Sequence, residues 1–310
     1  MRNPLKTAGY VVLFLVSFIF FVYFTFPYEV LKENVSAELS SATGYSIHIG
    51  KLGSKFPIGL EARDVNIDSS GASPLQISKF KVRISLLSLL IGRVSVEVEV
   101  VDKGGGTFAA EVTLSAFKLI FSQAALPSRI ELESDNFSIG QWIDFALGAL
   151  SKGSSVNPLL APILTKLGFI GKLKAKVEFD LDSGDPTQSN GTANIQLKDA
   201  LLKLSDPAFN LPDQKFSKAG IQAKLAGGTL TLDKGSGFIA QDFSLETDGK
   251  VLLKGTLAKS TVDIAIKLSL KKALKEQFGS ILDAILGGSR DGEISFKVSG
   301  TLSSPNMQTI

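Results

Sequence analysis

The residues of this chain best equipped for chemistry are a single histidine, His48, and three closely spaced aspartates, Asp180, Asp182 and Asp185. Cysteine is absent, which removes thiol catalysis, disulfides and thiolate metal sites. A Ser-His-Asp unit needs an imidazole as its base, and only His48 can supply one. It stands in Tyr45-Ser46-Ile47-His48-Ile49, on the polar phase of an alternating run, and reads as a solvated strand position. The aspartates stand in DLDSGDP, a composition made for turns, without the spaced glutamate of a calcium loop. Gly104-Gly105-Gly106 and Gly235-Ser236-Gly237 neither open a helix nor precede Lys-Ser/Thr, so hairpin turns are expected there rather than phosphate cradles. Trp142 falls at helical spacing among aliphatics and reads as core, not as a stacking platform. These residues predict no enzyme, no metal site and no cofactor.

The elements around them carry more information. Thr7–Tyr28 is an uncharged run, preceded by Arg2 and Lys6 and followed by Glu29. Roughly 20 apolar residues in a helix span a ~30 Å hydrocarbon core. The run exceeds the usual h-region of a signal peptide and lacks a small-x-small cleavage site, so an uncleaved anchor is expected. Basic residues ahead of it predict a cytoplasmic stub over residues 1–6 and a bulk beyond the membrane. With 33 Lys and Arg against 30 Asp and Glu, and two of the basic residues ahead of the run, the exterior is nearly neutral. It has no electrostatic footprint for nucleic acid.

Beyond the anchor, Leu31, Val35 and Leu39 recur at helical spacing over residues 29–43, and Gly44 is placed to cap that helix. The period then drops to two. Phe80, Val82, Ile84 and Leu86 alternate with polar residues, as do Val94, Val96, Val98 and Val100, and Phe108, Ala110, Val112 and Leu114. Leu173 to Leu181 and Val262 to Leu270 repeat the pattern. Each is a strand with one apolar and one wet face. Val177, Phe179, Val262, Ile264, Ile266 and Leu268 are the candidate residues for an apolar core face or ligand groove. Ser69-Ser70-Gly71, Gly227-Gly228, Asp233-Lys234-Gly235 and Asp248-Gly249 are expected as turns between strands. Short spacings favour antiparallel hairpins over crossover units. Three amphipathic helices are expected: Ser138–Leu150 with Ser138 as N-cap, a second opening at Asn157-Pro158 and ending at Gly168, and Lys271–Leu286. The layout divides into a β-rich lobe over 44–135, a helical insertion over 136–170 and a second β-rich lobe over 171–310.

Several stretches together resemble a known family. They are FPYEVLKENVSAELSSATGYSIHIGKL after the anchor, FPIGLEARDVNI, SPLQISKFKVRISLLSLLIGRVSVEVEVV, and ISFKVSGTLSSPNMQ near the C-terminus. The chain is similar to the type II secretion system protein N family (GspN), within the wider AsmA-like envelope proteins. The likeness covers about the first 100 and the last 20 residues, and the middle only in style. It implies a single-pass protein of the bacterial inner membrane, with a periplasmic body of curved antiparallel sheet and helices on its apolar face. It also implies a non-enzymatic scaffold role among other secretion-system envelope proteins. The AsmA-like relatives imply an alternative, a groove that binds or transfers phospholipid. The two differ in whether the apolar face is covered. The three helices carry about 15 large apolar side chains, enough by area to cover much of one sheet face, which favours the scaffold.

Overall fold

The computed structural model describes residues 13–14, 17–18, 21, 25–55, 58–68, 73–85, 88, 91–116, 127–150, 166–182, 185–204, 213–271, 274–276 and 293–310. Alternation along the chain becomes one fourteen-stranded antiparallel sheet, in which every strand pairs with its neighbours in sequence. The first six strands are β1 (Ser46–Ser54), β2 (Gly59–Asp68), β3 (Leu75–Ile84), β4 (Arg93–Val101), β5 (Thr107–Ser115) and β6 (Arg129–Ser138). After helix α2 (Gly140–Leu150) come β7 (Leu167–Asp180), β8 (Asn190–Leu204), β9 (Gln214–Ala226) and β10 (Thr229–Ala240). The sheet ends with β11 (Phe243–Leu252), β12 (Thr261–Leu270), β13 (Glu293–Thr301) and β14 (Ser304–Thr309). The mainly β class with few helices is as expected. Strand β6 pairs directly with β7, so the stretches 44–135 and 171–310 share one sheet.

Helix α1 spans Tyr28–Thr43. Phe26 and Pro27 before it are not helical. Pro27 has no N–H to give and restricts its own φ, which breaks the path from any helix upstream. Gly44 ends α1 in the left-handed region at φ 73°, donating its N–H to the Ser40 carbonyl. The Ser40 hydroxyl then accepts the Ile47 N–H at 2.9 Å and ties the helix end to β1. Helix α2, Gly140–Leu150, packs on β7 and β3. Leu31 and Val35 of α1, and Trp142 and Phe145 of α2, pack against a core built on Ile49, Val65, Leu75, Ile77, Phe137 and Leu173. Phe137 and Trp142 rings lie 5.8 Å apart, and Tyr45 meets Phe145 edge-on at 5.1 Å.

Several expectations need correction. Ser138 is the last residue of β6, not a helix cap; its N–H goes to Asp102, and the Ile139 carbonyl starts α2 instead. Leu167 and Gly168 belong to β7, opposite Leu204 and Lys203, rather than to a helix. The strand period simply runs further back than a short apolar segment can reveal. Asp248-Gly249 lies inside β11, and Asp233-Lys234-Gly235 is a bulge within β10. Glycine in a strand interior marks a bulge or a close backbone approach as readily as a turn. At Gly249 a Cβ would sit 2.3 Å from the Asp263 carbonyl. Gly227-Gly228 is the hairpin turn expected, with φ of 57° and 74°. The turn at 69–71 and the helix from Asn157 to 165 lie outside the described residues. Of Lys271–Leu286, only 274–276 among the expected helical positions are described as helical. Most of Thr7–Tyr28 also lies outside; its described members Leu13, Phe14, Ser17, Phe18, Phe21 and Thr25 are helical and exposed. Among the described residues, no helix is long and apolar enough to cross a membrane.

Candidate functional site: an apolar lane across the sheet

In an antiparallel sheet, residues paired across strands point to the same face. Following that rule from Leu60 in β2 traces one lane. Leu60 faces Val82, which faces Val98, then Ala110 and Leu132. Leu132 faces Val177, followed by Ala193, Ala223 and Leu232. The lane continues through Gly249, Ile264 and Val298 to Met307 in β14. Thirteen successive strands contribute, and none places a polar side chain in it. At ~4.8 Å per strand this is a path of roughly 58 Å along the sheet. A second lane runs beside it, through Ile84, Val96, Val112, Ile130, Phe179, Gly191, Leu225, Leu230, Val251 and Val262.

The lane is not uniformly covered. Val177 and Ala223 are each 7% exposed, while Leu60 is 38% exposed and Met307 63%. Val82, Val98, Leu132, Leu232, Ile264 and Val298 are half-buried. Of the two described helices, α1 packs on β1 and α2 on β7 and β3. Across β7, β9, β10 and β11, Phe216 gathers Phe169, Phe238 and Phe243, with ring centroids 5.6–6.2 Å away. The opposite face is charged. Lys81 meets Glu99 at 2.6 Å, Lys176 meets Glu178 at 3.0 Å, and Arg83 contacts Glu97. Glu97, Glu111, Glu131 and Glu178 stand opposite one another on four successive strands. Like charges so placed repel, which keeps that face in water.

All six candidate residues point to the apolar face. Val177 and Ile264 lie in the first lane, Phe179 and Val262 in the second. Ile266 and Leu268 follow on β12 opposite Phe296 and Ile294. They do not meet as one pocket. Strands β7 and β12 are five strand spacings apart, roughly 24 Å, and only the residues between them join the two groups. Sequence reasoning finds each strand's phase but misses Ala193, Ala223 and Gly249, whose small side chains carry no hydrophobic signal alone. Register supplies them.

His48 is exposed on β1. Asp185 caps a 3-10 turn; the hydroxyl and N–H of Thr187 hold its carboxyl below the ordinary range. Asp182 accepts the Asp185 N–H at 3.1 Å in the same turn. Trp142 packs in the core, with its Nε1–H buried and no acceptor for it among the described residues. No group of three or more His, Asp or Glu among the described residues is arranged to hold a metal. Comparison with protein-family models, curated proteins and solved structures finds no match.

Proposed function

We propose that this chain is a non-enzymatic, membrane-anchored lipid-binding protein of the bacterial envelope, whose apolar sheet face receives acyl chains. One observation carries the reading: the lane from Leu60 to Met307 is unbroken across thirteen strands, and only Val177 and Ala223 in it are buried. An ordinary core has no need of so long a path, and large exposed apolar surfaces mark interaction sites. The ~58 Å path is about four times the ~15 Å depth of one membrane leaflet, so several chains fit along it. Orientation by the basic stub of Arg2 and Lys6 puts the sheet in the periplasm, with the inner membrane as its source of lipid. The secretion-scaffold reading needs the face sealed by helices. Among the described residues, helices α1 and α2 pack on β1, β3 and β7, and the lane stays exposed at both ends, at Leu60 and Met307, which weighs for the open lane.

Native mass spectrometry of the full chain, released gently from the membrane in detergent, is the test. One or more phospholipids per chain are expected, and Ile264→Gln should lower the load. A lipid-free chain, with the Gln variant indistinguishable from it, would return the function to the scaffold.

A further inference from the structure

On the charged face, three hollows adjoin the β10 bulge, and Lys234 at its tip borders all three. Two of them mix signs. One, about 490 Å³, takes Glu246 and Asp248, and the other takes Asp233, Asp248 and Asp263. The third, about 280 Å³, is lined by Lys198, Lys218 and Lys234 with Gln196 and Gln222, and by no carboxylate among the described residues. Its shape is built rather than incidental. The ladders of β10 with both β9 and β11 break after Leu232, which throws Asp233 to Gly235 out of the sheet. Ser236, 3% exposed, pins the base of the bulge by accepting the Gln222 N–H at 3.0 Å and donating to the Gln222 carbonyl at 3.1 Å. The Lys218 ammonium lies over the bulge, 3.1 Å from where a Gly235 Cβ would stand. Lys172 stands directly opposite Lys198 on the same face. None of these four lysines forms an ion pair among the described residues. Like charges gathered on one hollow repel, and an anion between them relieves that repulsion.

We propose that this hollow binds a phosphate-type oxyanion. Lysine presents a compact point charge with three donors and is a common phosphate binder. The volume sits at the small end of ligand sites, matching one phosphate group and its immediate substituents. The two glutamines add amide donors beside the ammonium groups. The proposal is independent of what occupies the apolar face. The anion comes either as a lipid headgroup or as soluble phosphate.

Equilibrium dialysis of the full chain in maltoside micelles against radiolabelled inorganic phosphate tests it. Saturable binding near one per chain is expected. Lys218→Gln removes one charge-assisted bond and should weaken it about tenfold. Lys198→Gln, Lys218→Gln and Lys234→Gln together should abolish it. Lys51→Gln, Lys254→Gln and Lys259→Gln together, the same loss of charge elsewhere, should leave it intact. Glycerophosphoglycerol competing better than inorganic phosphate identifies a lipid headgroup; the reverse order identifies the free ion, and either upholds the site. Absence of saturable binding, or equal weakening by both triple variants, overturns it. The single Lys218→Gln change is exposed and leaves the fold intact, so misfolding of the triple variant cannot rescue the idea.

Discussion

Asp102 is 2% exposed at the end of β4, and both its carboxylate oxygens are engaged. Oδ1 accepts the Gly106 N–H at 2.9 Å across the turn into β5, and Oδ2 accepts the Ser138 N–H at 2.5 Å at the end of β6. One side chain therefore staples a hairpin to the residue that hands the chain into α2. Gly106 has no room to compensate, since a Cβ there would stand 2.2 Å from the Asn136 carbonyl. Asp102→Ala removes two side-chain bonds, about 1–2 kcal/mol each, and leaves the buried Gly106 N–H and the half-buried Ser138 N–H unpaired. Relief from burying a carboxylate returns part of this. A net loss of about 3–5 kcal/mol is expected, a large share of a typical 5–15 kcal/mol. Asp102→Asn keeps one acceptor and should lose about half as much. Urea unfolding of residues 29–310 reads the difference as a lower midpoint at constant slope. Hydrogen exchange should quicken first at the Gly106 and Ser138 amides. A loss below about 1 kcal/mol for the Ala variant, with those amides still protected, would refute the staple.

Val177→Asp puts an unpaired carboxylate between Leu132 and Ala193 and should cost about 3–5 kcal/mol. Lys267→Ala breaks only its exposed 2.9 Å pair with Glu293 and should stay within about 1 kcal/mol in the same unfolding assay; equal effects would mean the faces are misassigned. Burial raises the Asp144 carboxyl above its ordinary 3.8, partly offset by the Phe169 N–H it accepts. The folded state thus holds this proton more tightly than the unfolded chain does. Asp144 favours folding below its ordinary value, and that contribution is lost as pH climbs through the raised one. Measured against Asp144→Asn, the wild type's relative stability should fall with pH over that window and then level off; a rising difference counts against it. Alkaline phosphatase fused after Ile310 should be active in cells, and activity only from a cytoplasmic reporter would reverse the orientation.

What the sequence disclosed was phase, and what it withheld was register. Helix α1 and its Gly44 cap are legible because a 3.6-residue repeat and a left-handed stop lie within sixteen residues of each other. The faces of β4, β5, β7 and β12 are legible for the same local reason. The β10 bulge is not. Asp233-Lys234-Gly235 has turn chemistry, and only pairing with β9 and β11 on either side reveals a strand running through it. The apolar lane needs twelve registers to be known together. Asp64, Asn136 and Asp199 complicate any guess at them, for each takes positive φ within a strand. Asn136 and Asp199 stand at register shifts in β6 and β8, where a bulge can flip the faces beyond it. The lysine hollow was invisible because its lysines come from three strands, each unremarkable alone.

Because each strand bonds only to the strands made just before and after it, the sheet can grow like a zipper. A chain emerging across a membrane with its N-terminus held behind would offer β1 first, then β2, and need never wait for a distant partner. Such nearest-neighbour order keeps loop-closure costs low and makes stability close to additive along the row. It also makes length adjustable. Losing or gaining a hairpin at the β14 end would shorten or lengthen the apolar path by roughly 10 Å, two strand spacings, without disturbing the helix-capped beginning. A protein built this way can have its reach set by strand count, much as a plank bridge is fitted to the width of its stream.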